Sequence, residues 1–128
     1  MDCIFCKIMS GEIPSYTIYE DDIIKVFLDV NPISKGHSLV VPKKHYENIL
    51  DIDKSVLAHC DEVIKELYPK LKEKLGCLGI TRIQNNEYGQ EVKHYHMHLI
   101  PRYENDGFLK TEKNNTINLE EIYKELKK

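Results

Sequence analysis

The chain is expected to fold as an α+β domain: an antiparallel sheet of about five strands, one long helix, and short helices near the two ends. Three observations lead there. Short runs rich in β-branched residues, Ile23 to Leu28, His37 to Val41 and Gly79 to Gln84, are bounded by turn-forming residues. One apolar stripe at 3–4 spacing, Val56, Leu57, Cys60, Val63, Ile64, Leu67, Leu71 and Leu75, marks a long helix. The length, 128 residues with 41% hydrophobic and 30% charged side chains, suits one domain with a real core.

Cys3-Ile-Phe-Cys6-Lys-Ile-Met9 is short and apolar and is closed by Ser10-Gly11, which predicts a turn or two of helix. Glu12-Ile-Pro14 links it to a strand from Tyr16 to Tyr19. Glu20-Asp-Asp22 turns the chain into Ile23 to Leu28. The loop Asp29-Val-Asn-Pro-Ile-Ser-Lys-Gly36 carries Asn, Pro and Gly, and Pro42 stops the third strand, His37 to Val41.

The long helix is expected from about Ser55 to Leu75, with Asp53 as N-cap and Gly76 as C-cap. Pro69 falls inside it, where a missing hydrogen bond and a clash one turn back predict a kink or two shorter helices. Cys60 on the stripe and Cys77 beyond its end read as small buried hydrophobes, and His59, off the stripe, as a surface residue. Gly79 to Gln84 and Val92 to Ile100 form a hairpin around the polar loop Asn85 to Glu91. After a loop from Glu104 to Asn115, Asn118-Leu-Glu-Glu121 has the spacing of a helix start.

The net charge of −3 and the lack of a basic stripe argue against nucleic acid as a partner. No apolar run approaches membrane-spanning length and the N-terminus has no signal-peptide layout, so a cytoplasmic protein without a membrane partner is expected. Its four cysteines would then be reduced, which makes Cys3-x-x-Cys6 metal-binding or redox-active rather than a disulfide. A thioredoxin-type pair should follow a strand, whereas this one opens the chain.

The densest chemistry lies in His94-Tyr-His-Met-His98, which holds three of six histidines at alternate positions. On a strand these share one face, and at roughly 3.3 Å per residue the row spans about 13 Å. A polar strand face with incidental histidines is the bland alternative. A three-histidine zinc centre is the competing assignment, but the outer two would not converge on one ion without a sharp bend. The row is therefore divided. His94, with His45 after the Pro42-Lys-Lys turn, is a candidate to complete a four-ligand site with Cys3 and Cys6, leaving His96 and His98 free for chemistry.

His94-Tyr95-His96-Met97-His98-Leu99-Ile100 resembles the signature of the histidine-triad (HIT) family. Gly89-Gln90, the Phe27-Leu-Asp29-Val-Asn-Pro32 loop and the His37-Ser-Leu-Val-Val-Pro-Lys-Lys-His45 segment match too, in the family's order. The similarity covers about residues 2–103 and leaves 104–128 as a C-terminal extension of a single HIT domain over 1–128. It points to the Hint-like branch of bacterial type, several members of which carry an N-terminal zinc site.

What the resemblance implies is specific. The fold is a HIT-like antiparallel sheet flanked by helices, assembled as a homodimer through the long helix and the strand beside the triad. The substrate is a small nucleotide derivative, attacked at its α-phosphorus by His96 to form a nucleotidyl-histidine that water then hydrolyses. Neutral imidazole, with a pKa of roughly 6.5, suits that role at neutral pH. His98 handles the phosphate, His37 matches the family's fourth histidine in an orienting network, and Gln90 with the backbone after Gly89 contacts phosphate and leaving group. Asn85 or Asn86 matches the asparagine near the phosphate, and Asp29 the acid that binds the ribose hydroxyls. Phe5, Ile8, Phe27 and Val30 would wall the base pocket. His45 matches the second zinc-linked histidine, giving Cys3, Cys6, His45 and His94 as ligands of a structural zinc.

The chain departs from the family pattern twice. The loop between Asn86 and Gly89 is about two residues shorter than in many relatives, and Glu91 stands where animal Hint-type enzymes have a serine near the leaving group. The leading expectation is a hydrolase or transferase that releases a nucleoside monophosphate, of a purine base, from a phosphoramidate or similar derivative. No carboxylate cluster accompanies the triad, so catalytic magnesium is not expected. A dinucleoside polyphosphate hydrolase is the first alternative, and a zinc-stabilised nucleotide-binding interaction module with little catalysis is the second.

Overall fold

A computed structural model describes residues 3–108 and 111–128. Residues 1, 2, 109 and 110, which belong to the expected domain span and its C-terminal loop, lie outside the described residues. The elements follow the order α1 (Ile4–Met9), β1 (Thr17–Glu20), β2 (Ile24–Leu28), β3 (Ser38–Pro42), α2 (Lys54–Leu75), β4 (Gly79–Ile83), β5 (Met97–Arg102) and α3 (Leu119–Leu126). The five strands form one antiparallel sheet in the order β1-β2-β3-β5-β4, so the fold is α+β as expected.

Strand alternation decides which side chains meet which helix. Ile24 and Val26 of β2, Val40 of β3 and Leu99 of β5 face α2 and pack on its Cys60, Val63 and Ile64. Phe27, Leu39 and Val41 point the other way and pack with Cys3, Phe5 and Ile8 of the α1 region. The register sets Phe27 opposite Leu39 and Leu39 opposite His98, so the α1 face of the sheet runs straight into the last triad histidine.

Pro69 does not divide the long helix, which runs for 22 residues without interruption. Pro69 and Lys65 are both exposed, so water can satisfy the carbonyl that the missing N–H leaves without a partner. Gly76 caps α2 in the left-handed region at φ 70°, as expected. Asp53 occupies the N-cap position but caps nothing with its side chain, whose carboxylate accepts the Tyr46 hydroxyl at 3.2 Å instead.

Strand β5 starts at Met97, five residues later than expected. His94 and His96 therefore lie in the irregular segment that leads into the strand, and only His98 is on it. The side chains of residues 94–96 are buried, and the Tyr95 N–H donates to the Tyr46 carbonyl at 2.7 Å, pairing this segment with the chain after β3. The backbone leaves the ladder here, and each side chain is held by its own partners. Among the described residues, no helix is long and apolar enough to cross a membrane.

Candidate functional site

A cavity of about 800 Å³ opens between α1, the β2–β3 loop and the segment 85–98. Ile4, Phe5 and Ile8 form its α1 wall, Phe27 and Leu39 its sheet wall, and Asp29, Val30 and Asn31 its rim. Asn85, Gly89, Glu91, His96 and His98 also line it. The lining thus combines an extensive apolar wall with imidazoles, an amide and carboxylates, the composition of a site for an amphipathic small molecule.

Hydrogen bonds fix which nitrogen of each imidazole carries its proton. His96 Nδ1 lies 2.8 Å from the His94 carbonyl, which can only accept, so Nδ1–H donates and Nε2 keeps its lone pair. His94 Nε2 lies 2.8 Å from the Pro42 carbonyl and likewise donates, leaving Nδ1 free to ligate. His37 Nδ1 accepts the Ile33 N–H at 3.0 Å, so its Nε2 carries the proton and donates to His98 Nδ1 at 2.9 Å. His98 is left with its N–H at Nε2.

Burial favours the neutral form of all of these rings. It lowers the pKa of His96 and His37 from the ordinary value and, with His96 and His37 as neighbours, brings His98 down to about 4. The Asp29 carboxylate opposes this, with Oδ2 3.6 Å from His37 Nε2 and 4.0 Å from His98 Nδ1. Its Oδ1 accepts the Asn31 N–H at 2.8 Å, which keeps the acid at the start of its loop. Phe5 stands edge-on to His96 with ring centroids 4.9 Å apart, so the α1 wall touches the central imidazole directly.

The expected site residues are brought together unequally. Phe5, Ile8, Phe27, Asp29, Val30, Asn85, Gly89, His96 and His98 line the cavity. His37 lies behind His98 and reaches the cavity through it. Asn86 is turned outward: its Oδ1 accepts the Ile49 N–H at 2.9 Å and its amide pairs with Gln84, so of the two asparagines Asn85 faces the cavity. The Gln90 side chain is buried between two loops, accepting the Glu87 N–H at 3.0 Å and donating to the Glu47 carbonyl at 2.6 Å. It is not among the cavity-lining residues.

Ile33 supplies a backbone N–H that no sequence pattern announces. Leu39 was recoverable, because its register partner is Phe27 and both sit on the α1 face. His59, read as a plain surface residue, pairs with Asp21 at 2.6 Å, away from the cavity.

Cys3, Cys6, His45 and His94 also meet, with their ligand atoms all within 4.8 Å of one another. His94 Nδ1 is 3.4 Å from Cys3 Sγ and 3.5 Å from Cys6 Sγ, and His45 Nδ1 is 3.3 Å from Cys6 Sγ. Around a tetrahedral zinc with bonds of roughly 2.3 Å to sulfur and 2.0 Å to nitrogen, sulfur–nitrogen separations come to about 3.5 Å. The donor set fits a closed zinc site, and the bond from His94 Nε2–H to Pro42 is the outer contact that such a ligand needs. Burial and the neighbouring Cys3 push the Cys6 thiol up to about 11, so a metal ion would have to displace its proton.

Asp29, His37 and His98 form a second group with metal-ligand spacing. Here the tautomers oppose a metal, since the Ile33 N–H keeps His37 Nδ1 an acceptor and leaves the inward-facing Nε2 protonated. This trio is wired to pass hydrogen bonds toward the cavity.

Comparison with known proteins bears on the whole arrangement. The family model described as the HIT domain matches residues 10–105. An uncharacterised HIT-like protein of Methanocaldococcus jannaschii is 47% identical over 98% of either chain. The adenosine 5′-monophosphoramidase of Saccharomyces cerevisiae is 37% identical over 78% of this chain and 62% of its own length. A HIT-family structure from Bacillus subtilis, 35% identical, aligns with a TM-score of 0.88 over 99% of this chain and 94% of that one. A zinc-bound histidine-triad protein from Mycobacterium smegmatis, 31% identical, aligns with a TM-score of 0.80 over 90% of this chain and 85% of the other.

Proposed function

The chain belongs to the HIT domain family, and from that premise we propose that it is a nucleotide hydrolase or transferase releasing a nucleoside monophosphate from a phosphoramidate-type derivative. One observation carries the reading: His96 keeps its Nε2 lone pair at the cavity while its Nδ1–H is held by the His94 carbonyl at 2.8 Å. Nε2 attacks the α-phosphorus, a phosphorus–nitrogen bond to His96 forms, and the bond to the leaving amine breaks. The amine departs with a proton taken from solvent, while the neutral His98 donates a hydrogen bond through its Nε2–H to the phosphate or the leaving group. Water then attacks the same phosphorus, releases the monophosphate and returns His96 to its neutral form.

The remaining groups take supporting roles. The apolar lining of the cavity, with Phe5, Ile8, Phe27 and Val30, suits a purine ring, and Asp29 suits the ribose hydroxyls. Asn85 and the Gly89 backbone stand at the phosphate end, whereas Gln90 acts by holding the loop that carries them. Cys3, Cys6, His45 and His94 would hold a structural zinc, which supplies a cross-link between α1 and the triad segment and no open position for substrate. The working form is a cytoplasmic homodimer of one HIT domain per chain.

The relative named as an adenosine 5′-monophosphoramidase supports this choice of substrate. The test is release of AMP from adenosine 5′-phosphoramidate and from diadenosine tetraphosphate by the native protein and His96→Ala. Turnover of the phosphoramidate that disappears in His96→Ala is the expected result. Preference for the tetraphosphate would make the protein a dinucleoside polyphosphate hydrolase, and AMP binding without turnover of either would make it a binding module.

A further inference from the structure

We propose that the Cys3–Cys6–His45–His94 tetrad, when it holds its metal ion, positions the nucleotide site, so that metal and nucleotide bind with positive coupling. The inference rests on reading the tetrad as a metal site and the neighbouring cavity as a nucleotide site. Two structural routes join them, and each passes through residues that serve both.

The first route is His94, a positioning residue. Its ring points Nδ1 at the two cysteine sulfurs, and its carbonyl 2.8 Å from His96 Nδ1 sets the orientation of the central imidazole. A metal ion on Nδ1 and the Pro42 carbonyl on Nε2 would hold the ring at both nitrogens. Residues 94–96 lie outside the β-ladder, and the peptide unit that carries this carbonyl is held by one backbone bond, from the Tyr95 N–H to the Tyr46 carbonyl at 2.7 Å. Ligation of the ring adds a second restraint.

The second route is α1. Cys3 is its N-cap and Cys6 lies in its first turn, while Phe5 and Ile8 form part of the cavity wall. A helix of six residues has no stability of its own. It is held by apolar packing against Phe27, Leu39 and Val41 and by Lys25 Nζ, which donates to the Ile8 carbonyl at 3.0 Å. A metal bridging the two cysteines to His45 and His94 would pin the helix to the opposite wall. Phe5 would then be fixed against His96, with ring centroids at 4.9 Å.

Linkage makes the effect reciprocal: if metal tightens nucleotide binding by some factor, nucleotide tightens metal binding by the same factor. About tenfold lies within the usual range of such couplings. The test uses full-length protein produced with cobalt in place of zinc, whose thiolate and ligand-field absorption reports the geometry of the tetrad, titrated with AMP. The expected result is a saturable change in those bands at the AMP concentrations that calorimetry shows to occupy the site. With saturating AMP, cobalt affinity should rise about tenfold. Phe5→Leu should keep the cobalt spectrum of the free protein and shrink its response to AMP. Unchanged bands and unchanged cobalt affinity with AMP bound would overturn the coupling while leaving the nucleotide site standing. Failure of AMP to bind the metal-loaded protein would overturn the nucleotide reading and the coupling together.

Discussion

His37 Nε2 donates its proton to His98 Nδ1 at 2.9 Å, because the Ile33 N–H occupies His37 Nδ1 at 3.0 Å. A backbone amide in the β2–β3 loop thereby decides that His98 shows the cavity an N–H and not a lone pair.

His37→Ala should therefore reduce turnover of a phosphoramidate substrate by about 10- to 100-fold with little change in AMP affinity, because His98 loses its imposed tautomer. Steady-state kinetics with calorimetry checks this. Unchanged kcat in a folded variant would remove His37 from the orienting chain.

Burial, aided by His96 and His37, holds His98 down to about 4, whereas the unfolded chain titrates near roughly 6.5. As pH falls through about 6.5 the unfolded state takes up the proton first, so stability present at pH 7.5 declines toward pH 5. His37 and His96, also lowered by burial, act in the same direction. The urea midpoint should be lower at pH 5 than at pH 7.5, and His98→Asn should flatten that slope. Activity should persist somewhat below the ordinary imidazole range before His96 protonates, and activity rising toward pH 5 would contradict a neutral nucleophile.

Glu91 lines the cavity with His96, and among the described residues its carboxylate makes no hydrogen bond. A negative charge on this side disfavours phosphate or sulfate as the departing group. Glu91→Gln should raise turnover of an anionic-leaving-group substrate relative to a phosphoramidate by about three- to tenfold, an effect that shrinks with added salt. An unchanged ratio would place the carboxylate away from the leaving group.

Leu99 is fully buried where β5 meets α2, with Cys60, Val63 and Ile64 in the same cluster. Leu99→Ala should cost about 2–5 kcal/mol in a urea titration, since it opens a cavity under the strand that carries His98. A loss well under 1 kcal/mol would mean that α2 collapses into the space.

Periodicity made the sheet and the long helix readable. Phe27, Leu39 and His98 fall on one face because strands alternate, and the spacing of Cys3 and Cys6 left metal and redox roles open until His45 and His94 are seen beside them. Three things escaped. The stretch 92–96 has a strand-like pattern, but its hydrogen bonds go to the Tyr46 backbone and to side chains, so the ladder begins only at Met97. Pro69 carried a breaker's signal, but in α2 its cost falls on the solvent side. Gln90 and Asn86 were expected at the phosphate, yet backbone groups in the loop around Glu47 and Ile49 engage their side chains. No one-dimensional pattern records which loop lies beside which.

The central claim is that His96 Nε2 becomes bonded to phosphorus. Rapid quenching of the protein with adenosine 5′-phosphoramidate, followed by digestion under alkaline conditions and peptide mass spectrometry, tests it directly. The account predicts an adenylyl group on the peptide containing His96, lost in His96→Asn. An adduct on another residue, or full turnover with no adduct on any histidine at any quench time, would contradict it.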